Sequence, residues 1–275
     1  MSTPLAGRTA IVSGSSRGIG RGVAERLAAE GAAVVVNGMD KRAVDDTVAA
    51  ITESGGAAVA CVGDVTADGF PEHFVQTAVR EFGGLDIVVN NAGFPWDNVI
   101  QKTTDEQWDT VLDTHLKAPF RILRAAQPVL REQVREDEEK GRRVHRKVVN
   151  VSSIAGVFGN VGQAGYASAK AGIFGLTRTL AKEWGRYRVN VNSVAFGLID
   201  TRLICAVGEN DTITVGEREI PIGINEEVLE RIRSTVPLGR FGTVAEAAGA
   251  IYLFCGPDSD YVTGEVLTCG GGVTI

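Results

Sequence analysis

The chain has 275 residues and a net charge of −6, with 44% hydrophobic and 23% charged residues. This length suits one large domain, and this composition is ordinary for a packed globular protein. The acidic balance argues against a general affinity for nucleic acid. The sequence shows no apolar run long enough to cross a bilayer and no leader-type amino terminus, so we expect a cytoplasmic protein without a membrane anchor.

The cysteines are expected to be reduced and mostly buried, because no two of them have the C-x-x-C spacing and no histidine cluster accompanies them. They are Cys61, Cys205, Cys255 and Cys269. We therefore expect neither a disulfide framework nor a bound metal ion.

Short apolar runs and segments of helical spacing alternate along the chain. In chain order they predict a strand over 9–13, a helix over 18–30, a strand over 34–36, a helix over 41–54, a strand over 57–62, a helix over 70–82, a strand over 85–89, a helix over 104–134, a strand over 147–151, a helix over 164–185, a strand over 189–194, an irregular region over 197–240, a helix over 243–255 and a strand over 265–268. Helices of this length between strands predict right-handed crossovers and a parallel sheet covered on both faces. We therefore predict a single doubly wound α/β domain over 1–275, with about seven parallel strands and its ligands at their carboxyl ends.

The segment 131–147 stands apart by its charge, with the sequence REQVREDEEKGRRVHRK. We interpret it as a solvated helix end and loop. The alternative is an electrostatic contact with a partner subunit or an acidic carrier.

A glycine-rich turn, Ser13-Gly14-Ser15-Ser16-Arg17-Gly18-Ile19-Gly20, follows the first predicted strand. Gly14 permits a sharp turn out of the strand, while Gly18 and Gly20 let the backbone approach a ligand and let the helix pack on the strand. The start of the next helix offers free N–H groups to a pyrophosphate. This strand-turn-helix setting indicates a dinucleotide site.

Tyr166 and Lys170 lie four residues apart on a predicted helix, and so they share one face of it. A tyrosine has an ordinary pKa of about 10, which is too high for efficient proton transfer at neutral pH. We expect the Lys170 ammonium to lower the pKa of Tyr166. Ser153 precedes this pair, at the end of the fifth predicted strand.

These motifs, in this order, resemble those of the short-chain dehydrogenase/reductase family. The resemblance includes the glycine turn, Gly63-Asp64-Val65 after the third strand, Asn90-Asn91-Ala92-Gly93 after the fourth, and the serine, tyrosine and lysine described above. It covers almost the whole chain and is greatest to the 3-oxoacyl-(acyl-carrier-protein) reductase branch. It implies a Rossmann-type fold and hydride transfer between a nicotinamide cofactor and a carbonyl or alcohol.

The resemblance also implies a role for each matched catalytic residue. Tyr166 exchanges the proton as general acid or base, Ser153 hydrogen-bonds the substrate oxygen, and Lys170 also holds the ribose of the cofactor. His115 stands where the family usually has an asparagine of a proton relay. It either exchanges protons itself or fills the helix kink. Phe196 replaces a usual proline and is expected to reshape the wall that faces the nicotinamide.

For the cofactor, the resemblance implies that Asp64 and the Val65 backbone contact adenine, and that Ile199 and Thr201 hold the carboxamide. The full set of implied cofactor-binding residues is Gly14, Ser16, Arg17, Gly18, Ile19, Gly20, Asn37, Asp64, Val65, Asn91, Ala92, Gly93, Tyr166, Lys170, Ile199 and Thr201. No metal ligand is implied.

The choice between NADP and NAD depends on the end of the second strand, where NAD-dependent enzymes carry an acidic residue. Gly38 stands there, and Arg17 resembles the basic residue that binds the 2′-phosphate of NADP. We therefore expect NADP, with NAD as the alternative. Met39 occupies the place of a second basic residue, for which Lys41 or Arg42 could substitute.

We accordingly predict an NADP-dependent reductase that converts a ketone, such as a 3-oxoacyl thioester on an acyl carrier or CoA, to a secondary alcohol. The cofactor part is expected over about 1–150, the catalytic and substrate part over about 151–275, and a lid over about 202–236. The long helices resemble those that build the family's homotetramers.

Two alternatives stay open. The first is an NAD-dependent alcohol or hydroxyacyl dehydrogenase, which cofactor preference would distinguish. The second is a non-catalytic nucleotide-sensing protein, which the presence of both Tyr166 and Lys170 disfavours.

Overall fold

Within the described residues, 3–201, 212–215, 218–221 and 226–273, the computed structural model contains one seven-stranded and one two-stranded sheet. Apolar and β-branched runs form the strands, as expected for a sheet that is covered on both faces. In chain order they are β1 (Thr9–Val12), β2 (Ala33–Gly38), β3 (Ala57–Val62), β4 (Ile87–Asn90), β5 (Arg146–Ser153), β6 (Val189–Phe196), β7 (Thr212–Val215), β8 (Arg218–Pro221) and β9 (Val266–Cys269).

Amphipathic segments form the helices beside this sheet. They are α1 (Gly18–Ala29), α2 (Lys41–Glu53), α3 (Phe70–Phe82), α4 (Asp105–Leu112), α5 (Ala118–Glu139), α6 (Ile154–Phe158), α7 (Ala164–Trp184), α8 (Glu226–Arg233) and α9 (Val244–Tyr252). Reciprocal capping boxes, Thr104 with Gln107 and Thr243 with Glu246, fix where α4 and α9 begin.

The large sheet is parallel throughout, with the strand order β3-β2-β1-β4-β5-β6-β9. The order reverses between β1 and β4, and ligands of doubly wound sheets bind in the crevice outside the carboxyl ends of the strands at such a point. The predicted single doubly wound α/β sheet of about seven strands is confirmed.

Two hydrophobic clusters hold the layers together, one on each face of the sheet. The first joins α1 and α9 to the sheet through residues such as Val23, Leu27 and Ile251. The second joins α3 and α5 through residues such as Phe74 and Leu123. Since side chains alternate across a strand, β1 contributes Val12 to the first cluster and Ile11 to the second.

The helix predicted over 104–134 is found as an unbroken helical stretch that widens at one turn. Asp113–Lys117 form a π-helical turn between α4 and α5, and α5 then continues to Glu139. The predicted helix therefore holds, with the wider turn at the kink where His115 was placed and an end beyond the predicted one. Because both flanking segments keep a buried face, apolar periodicity alone does not reveal the change of helical pitch. This turn carries His115.

The region 197–240, predicted as irregular, contains regular elements among its described residues. β7 and β8 pair as an antiparallel hairpin, and α8 follows them. The expectation of irregular structure was therefore wrong there. The predicted lid over 202–236 lies in part outside the described residues, as does Cys205.

The charged segment 131–147 is only partly solvated, which corrects its interpretation as a solvated helix end and loop. Arg146 and Asp137 are both buried and form an ion pair at 2.9 Å, and Arg142 reaches the other oxygen of Asp137 at 2.7 Å. Lys147 is buried on the opposite face and pairs with Asp260 at 2.7 Å. Arg146 and Lys147 begin β5, where a strand buried on both faces leaves no solvated side.

Among the described residues, no helix is both long enough and apolar enough to span a membrane. No group of three or more potential metal ligands is found among them either. Cys61 and Cys255 are buried free thiols, and Cys269 is a half-buried free thiol.

Candidate active site

The glycine turn after β1 is tied to the turn after β4. The Ser13 hydroxyl oxygen accepts hydrogen bonds from the backbone N–H groups of Asn91 and Ala92, at 2.9 and 3.1 Å. The Asn91 amide in turn donates to the carbonyls of Ser13 and Gly14, both at 3.0 Å. The two turns at the reversal of strand order therefore form one rigid unit.

Close backbone approach explains two of the three glycines. Gly14 has a φ of +62°, and a Cβ there would lie 2.7 Å from the Cα of Ala92. A Cβ on Gly20 would lie 2.2 Å from the Gly14 carbonyl oxygen. Both positions therefore require glycine. The turn passes directly into α1, whose N-cap residue Arg17 provides no side-chain cap, so the first N–H groups of the helix point into the crevice without a side-chain acceptor.

Asn37, near the end of β2, links the glycine turn after β1 to the end of β3 and the turn that follows it. Its Oδ1 accepts from the Gly14 N–H at 3.0 Å, and its Nδ2 donates to the carbonyls of Cys61 and Gly63 at 3.1 and 3.0 Å. Every hydrogen of this side-chain amide is thus engaged within the protein. The Asn37 backbone N–H and carbonyl are also engaged, with the Ser15 hydroxyl and N–H at 2.9 and 2.7 Å, so Asn37 positions the glycine turn while its contact with the cofactor stays a prediction.

Gly38, the next residue, lies against Ser16 of the glycine turn. A Cβ at Gly38 would lie 2.5 Å from the Ser16 hydroxyl oxygen. The end of β2 is therefore closed to the acidic side chain that NAD-dependent enzymes place there.

Arg17 lies at the mouth of the crevice, where it pairs with Asp40 at 2.5 Å. Both side chains are about half exposed. The hydrogen bond from Arg17 lowers the pKa of Asp40. Asp40 also caps α2, since its carboxylate accepts from the Ala43 N–H at 3.3 Å. Sequence reasoning did not single out this aspartate, because it follows the end of the strand by two residues.

Other predicted cofactor residues line the same crevice. Asp64 is exposed after β3 and accepts from the Thr66 N–H and hydroxyl at 2.8 Å through one oxygen, and Val65 is buried beside it. On the opposite side, Ile199 is buried, and the Thr201 methyl carbon is the atom nearest to a Cβ built on Gly18, at 3.9 Å. The crevice thus runs from Asp64 to Thr201 past the start of α1.

Ser153, Tyr166 and Lys170 converge at the carboxyl end of β5. Ser153 ends that strand, and its side chain is hydrogen-bonded to Tyr166 of α7. Lys170 is buried one helical turn later, donates to the Val151 carbonyl at 2.9 Å, and holds its Nζ 5.7 Å from the Tyr166 ring centroid. Ser152 points the other way and donates to the Lys170 carbonyl at 2.8 Å. Of the two neighbouring serines, Ser153 therefore faces Tyr166.

Burial dominates the acid-base properties of this pair. It raises the pKa of Tyr166 to about 12, against the opposing effect of the Ser153 hydrogen bond. Burial also lowers the pKa of Lys170 to about 8. The expected lowering of the Tyr166 pKa by Lys170 is therefore not found in this structure, because the ammonium is directed to the Val151 carbonyl rather than to the phenol.

His115 packs edge-on against Tyr166, with ring centroids 5.0 Å apart. Its Nε2 lies 2.9 Å from the Phe94 carbonyl oxygen and 3.4 Å from the Phe94 N–H; the shorter contact favours a ring proton on Nε2, with Nδ1 as an acceptor. Nδ1 is buried without a hydrogen-bond partner among the described residues, and a Cβ on Gly93 would lie 2.7 Å from it. Burial, with a contribution from Lys170, lowers the pKa of His115 to about 3. This imidazole is neutral throughout the physiological range.

The fold agrees with the comparisons to known proteins. The family model described as enoyl-(acyl carrier protein) reductase matches residues 14–274. The chain is 35% identical over 98% of its length to the 3-oxoacyl-(acyl-carrier-protein) reductase FabG of Vibrio cholerae, 98% of which is covered. It is 38% identical over 96% of its length to the short-chain reductase protein NovJ of Streptomyces niveus, 92% of which is covered.

The chain belongs to the short-chain dehydrogenase/reductase family. The solved structure of a doubly substituted mutant of a Serratia marcescens short-chain dehydrogenase/reductase superimposes with a TM-score of 0.83 at 28% identity, covering 98% of both chains. The predicted family and enzyme class are thereby confirmed. The protein is an NAD(P)-dependent oxidoreductase that acts on a CH–OH group or the corresponding carbonyl.

The residues present fit a nicotinamide dinucleotide. The backbone at Gly14 and Gly20 leaves no room for side chains, and the uncapped start of α1 suits a pyrophosphate. Arg17 adds a half-exposed cationic side chain at the mouth of the crevice, paired with Asp40.

Two features of this reductase site differ from expectation or went unnoticed in the sequence. Phe196 is buried in the first hydrophobic cluster with residues such as Val89 and Val151, so its side chain is a core residue. Asp97 lies at the site entrance and accepts from the Gln163 amide at 2.6 Å. No motif marks Asp97, because it follows the Asn90–Gly93 turn in a loop without periodicity.

Proposed function

We propose that this enzyme uses NADPH to reduce a ketone, a 3-oxoacyl thioester or a similar compound, to a secondary alcohol. The observation that carries the proposal is the hydrogen-bonded pair of Ser153 and Tyr166 above the buried ammonium of Lys170. The names of the FabG relatives support the acyl thioester as substrate class. The bound cofactor supplies or accepts the hydride.

Reduction needs a proton donor at the oxygen that becomes the alcohol. With its pKa raised to about 12, Tyr166 is protonated at neutral pH and can donate from its hydroxyl oxygen. Ser153, hydrogen-bonded to Tyr166, can hold the same substrate oxygen and stabilise its developing negative charge. The Lys170 ammonium, 5.7 Å from the Tyr166 ring centroid, would stabilise the phenolate that remains after transfer once it turns from the Val151 carbonyl towards the phenol oxygen.

His115 acts here as a neutral positioning residue rather than as a proton carrier. An imidazole with a pKa lowered to about 3 does not take up a proton at neutral pH, so direct proton exchange is disfavoured. Its ring instead packs edge-on against Tyr166 and closely against Gly93, and so fixes the position of both. The sequence left two roles open for His115, proton exchange by the ring and filling of the helix kink. This geometry favours the second role, in which no proton passes through the ring.

Arg17 supports NADPH as the cofactor, because its planar donor fork suits a 2′-phosphate and Gly38 places no acid beside it. The Asp40 carboxylate favours a second candidate, an NAD-dependent dehydrogenase. The Asp40 carboxylate already forms an ion pair with the Arg17 guanidinium at 2.5 Å, and its negative charge would repel a 2′-phosphate. The competition between Asp40 and the phosphate for Arg17 therefore decides cofactor preference.

We also propose how the chain is divided between cofactor binding and catalysis, and how it assembles. Residues 1–150 would bind the cofactor, residues 151–275 would complete the catalytic and substrate site, and 202–236 would cover it. We further propose a cytoplasmic homotetramer that acts on small-molecule ketones or alcohols, including thioesters of an acyl carrier or CoA.

The experiment compares oxidation of NADPH and NADH with acetoacetyl-CoA as substrate. We expect faster turnover with NADPH and its loss in Tyr166→Phe. The matched control is Tyr261→Phe, since Tyr261 is fully exposed and its neighbour Asp260 pairs with Lys147 at the opposite, amino end of β5. Turnover that survives in Tyr166→Phe would contradict the acid role, and no turnover with either cofactor would refute the acyl reductase assignment.

Cofactor preference is tested by Arg17→Ala and Asp40→Asn, with Arg21→Ala on the same helix as control. Loss of a charged hydrogen bond to phosphate, about 1.5–3 kcal/mol, should raise KM for NADPH roughly 10- to 100-fold in Arg17→Ala. Asp40→Asn keeps a residue able to cap α2 and should lower KM for NADPH. If Asp40→Asn instead weakens NADH and leaves NADPH unchanged, the NAD-dependent candidate is correct.

A further inference from the structure

Lys170 is held by β5 at both its side chain and its backbone. The Val151 carbonyl accepts from Nζ of Lys170 at 2.9 Å, and the Ser152 hydroxyl donates to the Lys170 backbone carbonyl at 2.8 Å. Ser152 and Lys170 are both buried. A carbonyl oxygen has two lone pairs, so this one can accept from Ser152 in addition to a bond within the helix. Two consecutive strand residues therefore fix where Lys170 lies.

A close approach of α6 fixes the same stretch of backbone. A Cβ built on Gly156 would lie 2.7 Å from the carbonyl carbon of Lys170 and 2.8 Å from the Ala171 nitrogen, so this position requires glycine. The short helix α6 starts directly after β5, with Ser153 as its N-cap residue. Gly156 therefore packs against the same peptide group of α7 to which Ser152 donates its hydrogen bond.

A second polar connection joins β5 to α7 two helical turns further on. The Asn150 amide donates to Oγ1 of Thr177 at 2.9 Å, and both side chains are fully buried. Asn150 and Ser152 are two residues apart on one face of the strand, and Lys170 and Thr177 are seven residues apart on one face of the helix. Two such connections hold α7 against sliding along the strand and against rotation about its own axis.

The position of α7 matters because this helix carries both Tyr166 and Lys170. Ser153, the residue after Ser152, is hydrogen-bonded to Tyr166. Neighbouring serines thus contact the reacting tyrosine and the backbone of the helix that bears it. Because Ser152 holds the backbone of Lys170, the ammonium can turn from the Val151 carbonyl towards the phenol while α7 stays in place. A displacement of about 1 Å in such a site can cost on the order of 100-fold in rate.

We propose that Ser152 is a positioning residue, whose hydroxyl holds the Lys170 backbone so that the ammonium is correctly placed for the cofactor ribose and for Tyr166. This inference rests on the proposed catalytic roles of Tyr166 and Lys170. It adds a function for the serine beside Ser153. Ser152 acts through Lys170 and contacts neither cofactor nor substrate itself.

The test compares Ser152→Ala, which lacks the hydroxyl, with Ser152→Thr, which keeps it. The matched control is Ser193→Ala. Ser193 is as deeply buried as Ser152, and its hydroxyl donates to the Asn150 carbonyl at 2.9 Å, between two strands of the sheet rather than from the sheet to α7. Both alanine variants therefore lose one buried hydrogen bond to a backbone carbonyl. Circular dichroism and Tm establish that each variant is folded.

Binding of NADPH, followed by fluorescence titration, is measured for each variant alone and combined with Lys170→Met. Lys170→Met removes the ammonium but keeps the backbone carbonyl that accepts from Ser152. We expect Ser152→Ala to raise Kd for NADPH roughly 2- to 10-fold when Lys170 is present and to leave it unchanged in the Lys170→Met background. Ser152→Thr and Ser193→Ala should stay within about twofold of the wild type.

An equal rise of Kd in both backgrounds would overturn the inference, because the hydroxyl would then act on the structure in general and not through the ammonium. A rise no larger than that in Ser193→Ala would overturn it as well. Turnover of acetoacetyl-CoA gives a second measurement, since kcat/KM should fall roughly 10- to 100-fold in Ser152→Ala and recover in Ser152→Thr. A folded Ser152→Thr enzyme as slow as Ser152→Ala would contradict the role of the hydroxyl. If the wild type reduces no ketone, the proposed function fails, while the binding measurements still decide the role of Ser152.

Discussion

The buried ion pair between Arg146 and Asp137 gives a quantitative prediction about stability. Both side chains are about 4% exposed, and Nε and Nη1 of Arg146 have no hydrogen-bond partner among the described residues. Asp137→Asn removes the closest counter-charge and leaves Asp86, at 3.6 Å, as the other carboxylate beside Arg146. Breaking a buried pair from one side costs about 3–5 kcal/mol, because the remaining charge stays buried without compensation.

The neighbouring residue offers a matched control. Glu138 carries the same charge one position further along α5 and pairs with Arg188 at 3.1 Å, but its side chain is 59% exposed. Glu138→Gln should therefore cost about 0–1 kcal/mol. At roughly 2–4 °C of Tm for each kcal/mol in domains of this size, Asp137→Asn should lower Tm by about 6–20 °C.

Urea unfolding at pH 7, followed by circular dichroism, measures the difference between the two variants. If Asp137→Asn destabilises the protein no more than Glu138→Gln, the argument from burial is wrong. The pH dependence adds a second check. Burial alone would raise the pKa of Asp137, but the hydrogen bonds and positive charges of Arg146 and Arg142 together outweigh it, so the net pKa is lowered. The stability from Asp137 is therefore present above its unfolded pKa of about 3.9 and is lost as the pH falls through the folded value, a loss that Asp137→Asn should not show.

Three further predictions concern the site. Gly93→Ala would place a Cβ 2.3 Å from Cε1 of the buried His115 ring, so we expect a lower Tm and loss of turnover in the acetoacetyl-CoA assay, and wild-type values would contradict the contact. Gly38→Asp should weaken NADPH binding without creating NADH preference, because its Cβ would meet Ser16 at 2.5 Å; fluorescence titration with both cofactors measures this, and a clean switch to NADH would refute it. Because burial lowers the pKa of Lys170 to about 8, the unfolded chain binds more protons between that value and about 10.4, so stability should rise with pH across this window. Lys170→Met should lack that rise in urea unfolding at several pH values, and identical pH profiles would contradict the assignment.

The fold could be predicted from the sequence because the lengths, the apolar patterns and the order of the predicted strands and helices all indicated the same architecture. Apolar runs of strand length alternate with helical segments, and a parallel sheet is the arrangement that buries such runs on both faces. The candidate catalytic residues came from the family resemblance added to this pattern, because a tyrosine and a lysine on one helix face do not by themselves indicate a site and Ser153 was chosen over Ser152 by the family spacing.

The features that sequence reasoning missed depend on tertiary contacts between segments without periodicity. Asp40 meets Arg17 across two loops, and Asp97 meets Gln163 in the same manner. Arg146 belongs to a charged run that composition favoured as solvated, yet the strand it begins is covered on both faces. A run of charged residues predicts solvent-exposed side chains only where the helix or strand that contains them has one face open to solvent.

The Asn37 side chain, which links the loops after β1 and β3, also affects the chemical durability of the enzyme. Asn37 is followed by glycine, the neighbour that least hinders attack of the backbone nitrogen on an asparagine side chain to form a succinimide and release ammonia. In the folded protein the strand geometry and three hydrogen bonds hold the amide away from that reaction. If the chain deamidates while it is unfolded, the new carboxylate would face the carbonyls of Cys61 and Gly63 on refolding and could not donate the two hydrogen bonds of the amide. Each deamidated chain would therefore permanently lose the ability to refold.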